Sequence, residues 1–376
     1  MCSGTVLTPH DPGLVKGTTP PSQRCNDCKP MVFSEFSRVG QPADVELPEL
    51  TLLGSDSKSV IALRRSFDGP KARTRLIQSD DTLKTHWVAI SLNADVGSKV
   101  IYASGSGHAK IALIRQSENG VVSRSKDSGA SWRDLKLQVD GHPTSEWIHE
   151  LDDTPGVRAV VRLAAVSPND SETLFANFEL WIPHRGRPTE FAKWREVPGM
   201  YVSHDGGDNW ILFTKELVAD SPLGIGKDPN YFAGVRKDGV VLSRDGGHSW
   251  QEYGGQQFLN QKVGIKGRNT ASNETASNSV PIRINQIEIA GANASTIYLR
   301  TNIGLIITRD GGQTWCVATP GSHVMEEVTS LAVSKNNPDD ILISTSATAE
   351  APPKIFHSIN GGCTFDVVYG MNGRPH

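Results

Sequence analysis

The chain has 376 residues, 37% of them hydrophobic and 21% charged, with a formal net charge of −3. That balance allows a packed core, excludes global disorder, and excludes a general nucleic-acid binder, which needs a basic excess to neutralise phosphates. No run of 18 apolar residues occurs, so no membrane-spanning helix is expected, and 36 Gly with 22 Pro mark a chain of many turns.

Residues 1–45 read as an extended, polar, Pro-rich leader without the apolar core of a secretory signal. They carry Cys2, Cys25 and Cys28; the other two cysteines are Cys316 and Cys363. Cys25-Asn26-Asp27-Cys28 is a lone CxxC with no second pair of ligands, so neither a metal nor a cofactor is expected. The cysteines read as buried thiols with one or two disulfides. Met1-Cys2-Ser3-Gly4 resembles the start of a mature bacterial lipoprotein. On that reading Cys2 carries a lipid anchor, the other four cysteines form two disulfides, and the protein lies outside the cytoplasm.

From residue 46 onward short apolar runs alternate with turn signals. Leu47–Leu53 and Val60–Arg65 are the first expected strands, followed by Trp87–Ile90 with Val100–Ala103. Then a repeat begins. Ser125-Lys126-Asp127-Ser128-Gly129-Ala130-Ser131-Trp132 is its first copy, and Ser203–Trp210, Ser243–Trp250 and Thr308–Trp315 are the next three. Ser358–Phe365 is a worn fifth copy with Asn360 for Asp and Phe365 for Trp, and Ser66-Phe67-Asp68-Gly69 is a doubtful earlier one.

The shared pattern is [S/T]-x-D-x-G-x-[S/T/N]-W. An Asp in a tight turn accepts backbone N–H bonds, Gly adopts a backbone angle that other residues resist, and Trp covers the turn from the next strand. Each box therefore predicts a β-hairpin turn with its own staple. A short strand precedes each box, as in Gly239-Val240-Val241-Leu242. Two more runs lie upstream, as in Val160–Leu163 with Thr173–Ala176, Gln286–Ile289 with Thr296–Leu299, and Val328–Leu331 with Ile341–Ile343. Four strands per unit, with the box between the third and fourth, describe a propeller blade. No helical period appears. Successive boxes lie 78, 40, 65 and 50 residues apart, so the 40-residue step is a bare blade and the others carry insertions. The expected fold is all-β: one propeller over residues 46–376, with six four-stranded blades, or seven.

The boxes resemble the Asp-box repeats of bacterial neuraminidases over about residues 85–370. Sialidases, xyloglucan-cleaving glycosidases, sortilin-type receptors and photosystem II assembly factors share them, so the resemblance implies a fold and selects no function. In those families the boxes are structural, which implies a structural role for Asp127, Trp132, Asp205, Trp210, Asp245, Trp250, Asp310 and Trp315. The (Phe/Tyr)-Arg-Ile-Pro motif of true sialidases is missing.

Function is expected on long insertions over the rigid scaffold. Residues 139–158 and 178–198 hold Trp147, Trp181 and Trp194 among acids, histidines and arginines. Residues 254–281, rich in Gly, Asn, Ser and Thr, read as a mobile loop. Aromatic rings beside arginines suit sugar stacking or a protein hot spot, so Trp147, His149, Trp181, His184, Arg185, Arg187 and Trp194 are the expected ligand contacts. A glycosidase needs two facing carboxylates, for which Glu146, Glu150, Asp152, Asp153 and Glu190 are candidates. The leading expectation is a monomeric, non-catalytic binding or assembly scaffold for a protein or carbohydrate ligand. The alternative is an Asp-box glycoside hydrolase.

Overall fold

The computed structural model describes residues 49–55, 60–67, 72–79, 88–90, 98–104, 112–117, 121–127, 130–151, 154–167, 170, 172–184, 187–237, 239–255, 262–268, 275–290, 294–302, 304–318, 328–334, 337–345 and 353–370. The expected leader with Cys2, Cys25 and Cys28 lies outside the described residues, as do Asp152, Asp153 and Arg185. The chain divides into two compact units, Met1–Ser91 with Tyr253–His376, and Leu92–Glu252.

In the first unit, β1 (Glu49–Ser55), β2 (Val60–Phe67), β3 (Ala72–Ser79) and β4 (Val88–Ile90) form one sheet in chain order. The second unit opens with the sheet β5 (Ser98–Ser104), β6 (Ala112–Ser117), β7 (Val122–Ser125) and β8 (Arg133–Asp134). An insertion follows: β9 (Gln138–Val139), β10 (His142–Pro143) and helix α1 (Thr144–Leu151). Next come β11 (Arg158–Val166), β12 (Leu174–His184), β13 (Arg187–Glu196), β14 (Met200–Ser203) and β15 (Asn209–Thr214). Their core order is β11-β12-β14-β15. β9 adds to β15 in parallel and β13 pairs with the far half of β12. The unit ends with β16 (Gly224–Ile225), β17 (Phe232–Arg236), β18 (Gly239–Ser243) and β19 (Gln251–Glu252).

The chain then supplies the first unit with a hairpin, β20 (Lys262–Arg268) and β21 (Thr275–Pro281). Two more sheets follow in chain order: β22 (Ile284–Ala290), β23 (Thr296–Thr301), β24 (Gly304–Thr308) and β25 (Cys316–Ala318), then β26 (Val328–Val333), β27 (Ile341–Thr345), β28 (Lys354–Ser358) and β29 (Asp366–Gly370). Antiparallel meanders of four strands are the blades of the propeller class, and the protein is all-β of that class.

Within each unit the core lies between the faces of successive sheets. Ile114, Val122 and Leu135 pack with Leu174, Ala176, Phe178, Leu180 and Trp210. On the other face of β12 and β14, Phe175, Met200 and Val202 pack with Phe232, Val241 and Trp250. In the first unit Tyr298, Leu305 and Ile307 pack with Leu331, Ile341, Ile343 and Phe356. Inner strands buried on both faces read as continuous apolar runs, which is why Gly239–Leu242 and Gly304–Ile307 show no alternation.

The structure corrects several expectations. Trp87–Ile90 does not open the sheet of the first box: Val88–Ile90 is the last strand of the preceding sheet, paired with Leu76–Gln78. The strand that completes the first-box sheet is β6, whose polar ends at Arg115–Ser117 hid it. The doubtful copy at Ser66 falls between the second and third strands of its sheet, whereas all five later boxes fall between third and fourth. Residues 254–281 form a hairpin over part of their length. A helix, α1, stands in the first insertion; its apolar Trp147 and Ile148 face the core while Glu146, His149 and Glu150 are exposed, too short a stripe for a periodic signal.

Candidate functional site

Two groups of carboxylates among the described residues bear on the expected site. The first is the set of box aspartates. At Asp245, Ser243 Oγ donates to Oδ1 at 2.8 Å, and Ser249 donates through its N–H and its hydroxyl at 2.9 and 2.5 Å. Ser243 Oγ accepts from Gly247 N at 2.8 Å, and Trp250 Nε1 closes the turn on Gly247 O at 3.1 Å. The same bonds recur at Asp205, with Ser203, Asn209 and Trp210, and at Asp310, with Thr308, Thr314 and Trp315. At Asp127 the donors are Ser125 and Ser131, and Arg115 stacks over the Trp132 ring at 4.2 Å.

These bonds favour the ionised aspartate. The Ser249 hydroxyl and N–H, with Ser243, hold Asp245 down at about 2. Burial pushes Asp205 and Asp310 upward, but the bonds from Asn209 and Ser203, and from Thr314 and Thr308, outweigh it and leave both lowered. Each carboxylate is thus occupied by its own turn.

The second group sits where the β12–β13 hairpin outgrows its blade. The near end of β12, Leu174–Ala176, pairs with β14, whereas Glu179–His184 is flanked by β11 on one side and β13 on the other. Side chains alternate across a strand. Leu174, Ala176, Phe178 and Leu180 enter the core, and Asn177, Glu179 and Trp181 occupy the opposite face. Glu179 is 3% exposed there. Its carboxylate accepts from Arg162 Nε at 2.9 Å, Trp181 Nε1 at 2.8 Å and Lys193 Nζ at 2.8 Å.

Burial alone would raise the pKa of Glu179; the bonds from Lys193, Trp181 and Arg162 reverse that and leave it lowered. Lys193 also meets Glu196 at 2.7 Å and Asp220 at 3.2 Å, and these acids raise its pKa despite the cost of burial. Arg158, lowered by burial, lies 3.7 Å over the Phe191 ring and 6.0 Å from that of Trp181, and Arg162 lies 5.4 Å from Trp181. The result is a face of alternating cations and aromatic rings with Trp181 half-buried at its centre.

The structure separates the expected site residues. Trp147 is 6% exposed and anchors α1 against Phe178 and Tyr201, with ring centroids at 5.3 and 5.9 Å. Glu146, His149 and Glu150 lie on the solvent side of α1, where Glu146 meets His142 at 3.6 Å. His184 is exposed at the hairpin end, and Trp194 is 41% exposed with Arg195 5.5 Å from its ring. Trp194 stands in the bulge that shifts the β12–β13 register after Leu180. Arg187 and Glu190 belong to β13, and their side chains lie outside the described residues.

Sequence reading missed Glu179, Arg158, Arg162, Lys193 and Asp220. A carboxylate inside the otherwise apolar run Phe178–Ile182 was the available signal. Glu179 and Glu196 share one ammonium, at 2.8 and 2.7 Å from Lys193 Nζ, and are the two described carboxylates of this face that face each other. Lys193 fills the space between them, and both are acceptors in ion pairs. Among the described residues no group of His, Cys, Asp or Glu has the arrangement of a metal site.

No family model matches the chain, and no curated protein matches it. Among solved structures it is similar to an ancestral GH74 enzyme at 15% identity and a TM-score of 0.38, over 69% of this chain and 30% of that one. It is similar to YCF48 bound to D1 peptide at 15% identity and a TM-score of 0.37, over 87% and 88% of the two chains. It is also similar to the six-bladed β-propeller lectin of Aleuria aurantia at 11% identity and a TM-score of 0.37, over 85% and 94%. The chain thus spans less than a third of the GH74 enzyme's length, and it is similar to propellers that include both an enzyme and binding proteins.

Proposed function

We propose that the chain is a non-catalytic scaffold of the Asp-box type, working outside the cytoplasm, that binds a protein or carbohydrate ligand through the hairpin face of the second unit. The observation that carries this reading is the commitment of Glu179 and Glu196 to one ammonium. Hydrolysis of a glycosidic bond needs one carboxyl group able to give a proton and a second facing it across room for the sugar. Glu179 and Glu196 close on Lys193 instead, and Glu179 is held ionised by three donors. Trp181, Trp194 and the flanking arginines have the composition of a recognition surface, where Trp and Arg dominate binding energy. Trp147 supports the surface from within.

The test is incubation with a glycan and polysaccharide library, read for released products by mass spectrometry and for retained ligand by affinity chromatography. The expected result is retention without turnover, with retention lost in Trp181→Ala and Trp194→Ala. Turnover abolished by Glu190→Ala or Glu146→Ala overturns the scaffold reading and makes the chain a glycosidase. The lipid anchor at Cys2 is tested separately by the intact mass of the native protein.

A further inference from the structure

The fifth box has lost two of the contacts that close the second, third and fourth. Asn360 replaces the aspartate, so its amide Nδ2 donates to Thr364 Oγ1 at 2.9 Å where a carboxylate elsewhere accepts from the hydroxyl. Phe365, buried at 2% exposure, has no indole N–H for the carbonyl of the second glycine. The remaining bonds persist: Ser358 Oγ, Cys363 N and Thr364 N all donate to Asn360 Oδ1, and Gly362 N donates to Ser358 Oγ. They are neutral bonds, weaker than those to a charged acceptor.

This same box carries Cys363 in the slot after its two glycines, and Cys316 directly follows the Trp of the fourth box. Both are disulfide-bonded. Their surroundings bring them together. A Cβ on Gly362 would lie 3.3 Å from Ala318 Cβ and 3.1 Å from Ile307 Cδ1, and Ile307 is the cross-strand partner of Cys316. Arg309 donates across the same seam to the Gly361 carbonyl.

We infer that Cys316 and Cys363 are bonded to each other, and that this bond holds the fifth box against the β22–β25 sheet in place of the charged acceptor and indole bond it lacks. The attachment of the last sheet is therefore redox-dependent. Forming the bond removes two protons and two electrons from the two thiols. An oxidised protein dithiol of an exporting compartment accepts them through a mixed disulfide and leaves as the reduced dithiol. A reducing dithiol runs the exchange backwards and leaves the worn box on its neutral bonds alone. The clamp closes the chain from 316 to 363, so it also restricts the unfolded state.

Two measurements on the native chain test this. A tryptic digest under alkylating, non-reducing conditions is expected to contain the peptide Asp310–Lys335 linked to Ile355–His376. Either cysteine found free, or linked to Cys2, Cys25 or Cys28, overturns the pairing. Thermal unfolding with and without dithiothreitol is expected to show a drop of roughly 5–10 °C on reduction. An unchanged midpoint overturns the clamp even where the linked peptide is found. Compensation predicts further that Asn360→Asp raises the midpoint of the reduced protein more than that of the oxidised one, and an equal shift in both overturns it.

Discussion

The box turns and the β12–β13 hairpin both hold a carboxylate below its ordinary pKa, and they satisfy it in opposite ways. Asp245 takes its bonds from Ser243 and Ser249, within four residues of itself. Glu179 takes its bonds from Arg162, Trp181 and Lys193, on three different strands. A local staple can be copied wherever the motif is copied, and this chain has four full copies. A staple assembled from three strands depends on their register, so it belongs to the place where that register is set and suits a specific surface. Mutations that separate the two kinds of staple test this contrast.

The largest effect is expected within one box. Gly311 and Gly312 have φ of +74° and +86°, so both prefer glycine. A Cβ on Gly311 meets nothing closer than Tyr253 Oη at 3.8 Å, whereas one on Gly312 runs into the Tyr253 carbonyl oxygen. Gly312→Ala should cost more than about 4 kcal/mol or prevent folding, and Gly311→Ala about 1 kcal/mol. Urea denaturation measures both, and equal losses would show that the second glycine is not needed for close approach.

The tryptophans divide next. Trp210, 1% exposed and bonded to Gly207 O at 2.9 Å, should cost about 3–5 kcal/mol when changed to Ala. Trp181→Ala should cost about 1–2 kcal/mol, because the ring is only half-buried, while removing ligand retention. A stability loss at Trp181 as large as at Trp210 would make it a core residue and remove it from the surface.

Glu179→Gln should destabilise by about 1–3 kcal/mol, since Arg162 retains solvent and Lys193 retains Glu196 and Asp220 while Glu179 itself is buried. Glu196→Gln, more than a third exposed, should cost less than about 0.5 kcal/mol. Equal costs would show that the two acids share Lys193 as equivalents.

The smallest effect is the acid response of the boxes. Asp245 titrates at about 2 in the folded chain, below its ordinary 3.8. A lowered folded value means that the unfolded chain binds the proton first as pH falls. The stabilising bonds are therefore complete above about pH 4 and are lost between about 4 and 2. Asp205 and Asp310, also lowered, add to the same slope. Thermal midpoints measured from pH 5 to 2 should fall less steeply in Asp245→Asn than in the parent chain. An identical slope would show that the box carboxylates do not govern acid sensitivity.

The boxes were legible because every part of their geometry lies in eight consecutive residues. Asp, Gly and Trp at fixed spacing predicted a stapled hairpin between third and fourth strands, and Asp205, Asp245 and Asp310 form it with the same bonds. The broken copy at Ser66 looked similar and sits at a different hairpin, because a fragment of the motif without its closing Trp fits any turn. Aromatic composition alone marked Trp147, Trp181 and Trp194 alike. Burial separated them, since only the docking of α1 on Phe178 and Tyr201 decides that Trp147 faces inward.

By itself the sequence determined the class of fold and the position of its turns, since alternation, apolar runs and turn chemistry act over a few neighbouring residues. Only the tertiary structure decided which acids stand free and which are consumed. Glu179 is an ordinary glutamate until the register of β11, β12 and β13 sets Arg162, Trp181 and Lys193 around it. That register depends on a bulge at Trp194 that no local pattern announces. Electrostatic partners are chosen by distance in space, and strands far apart in the chain supply them.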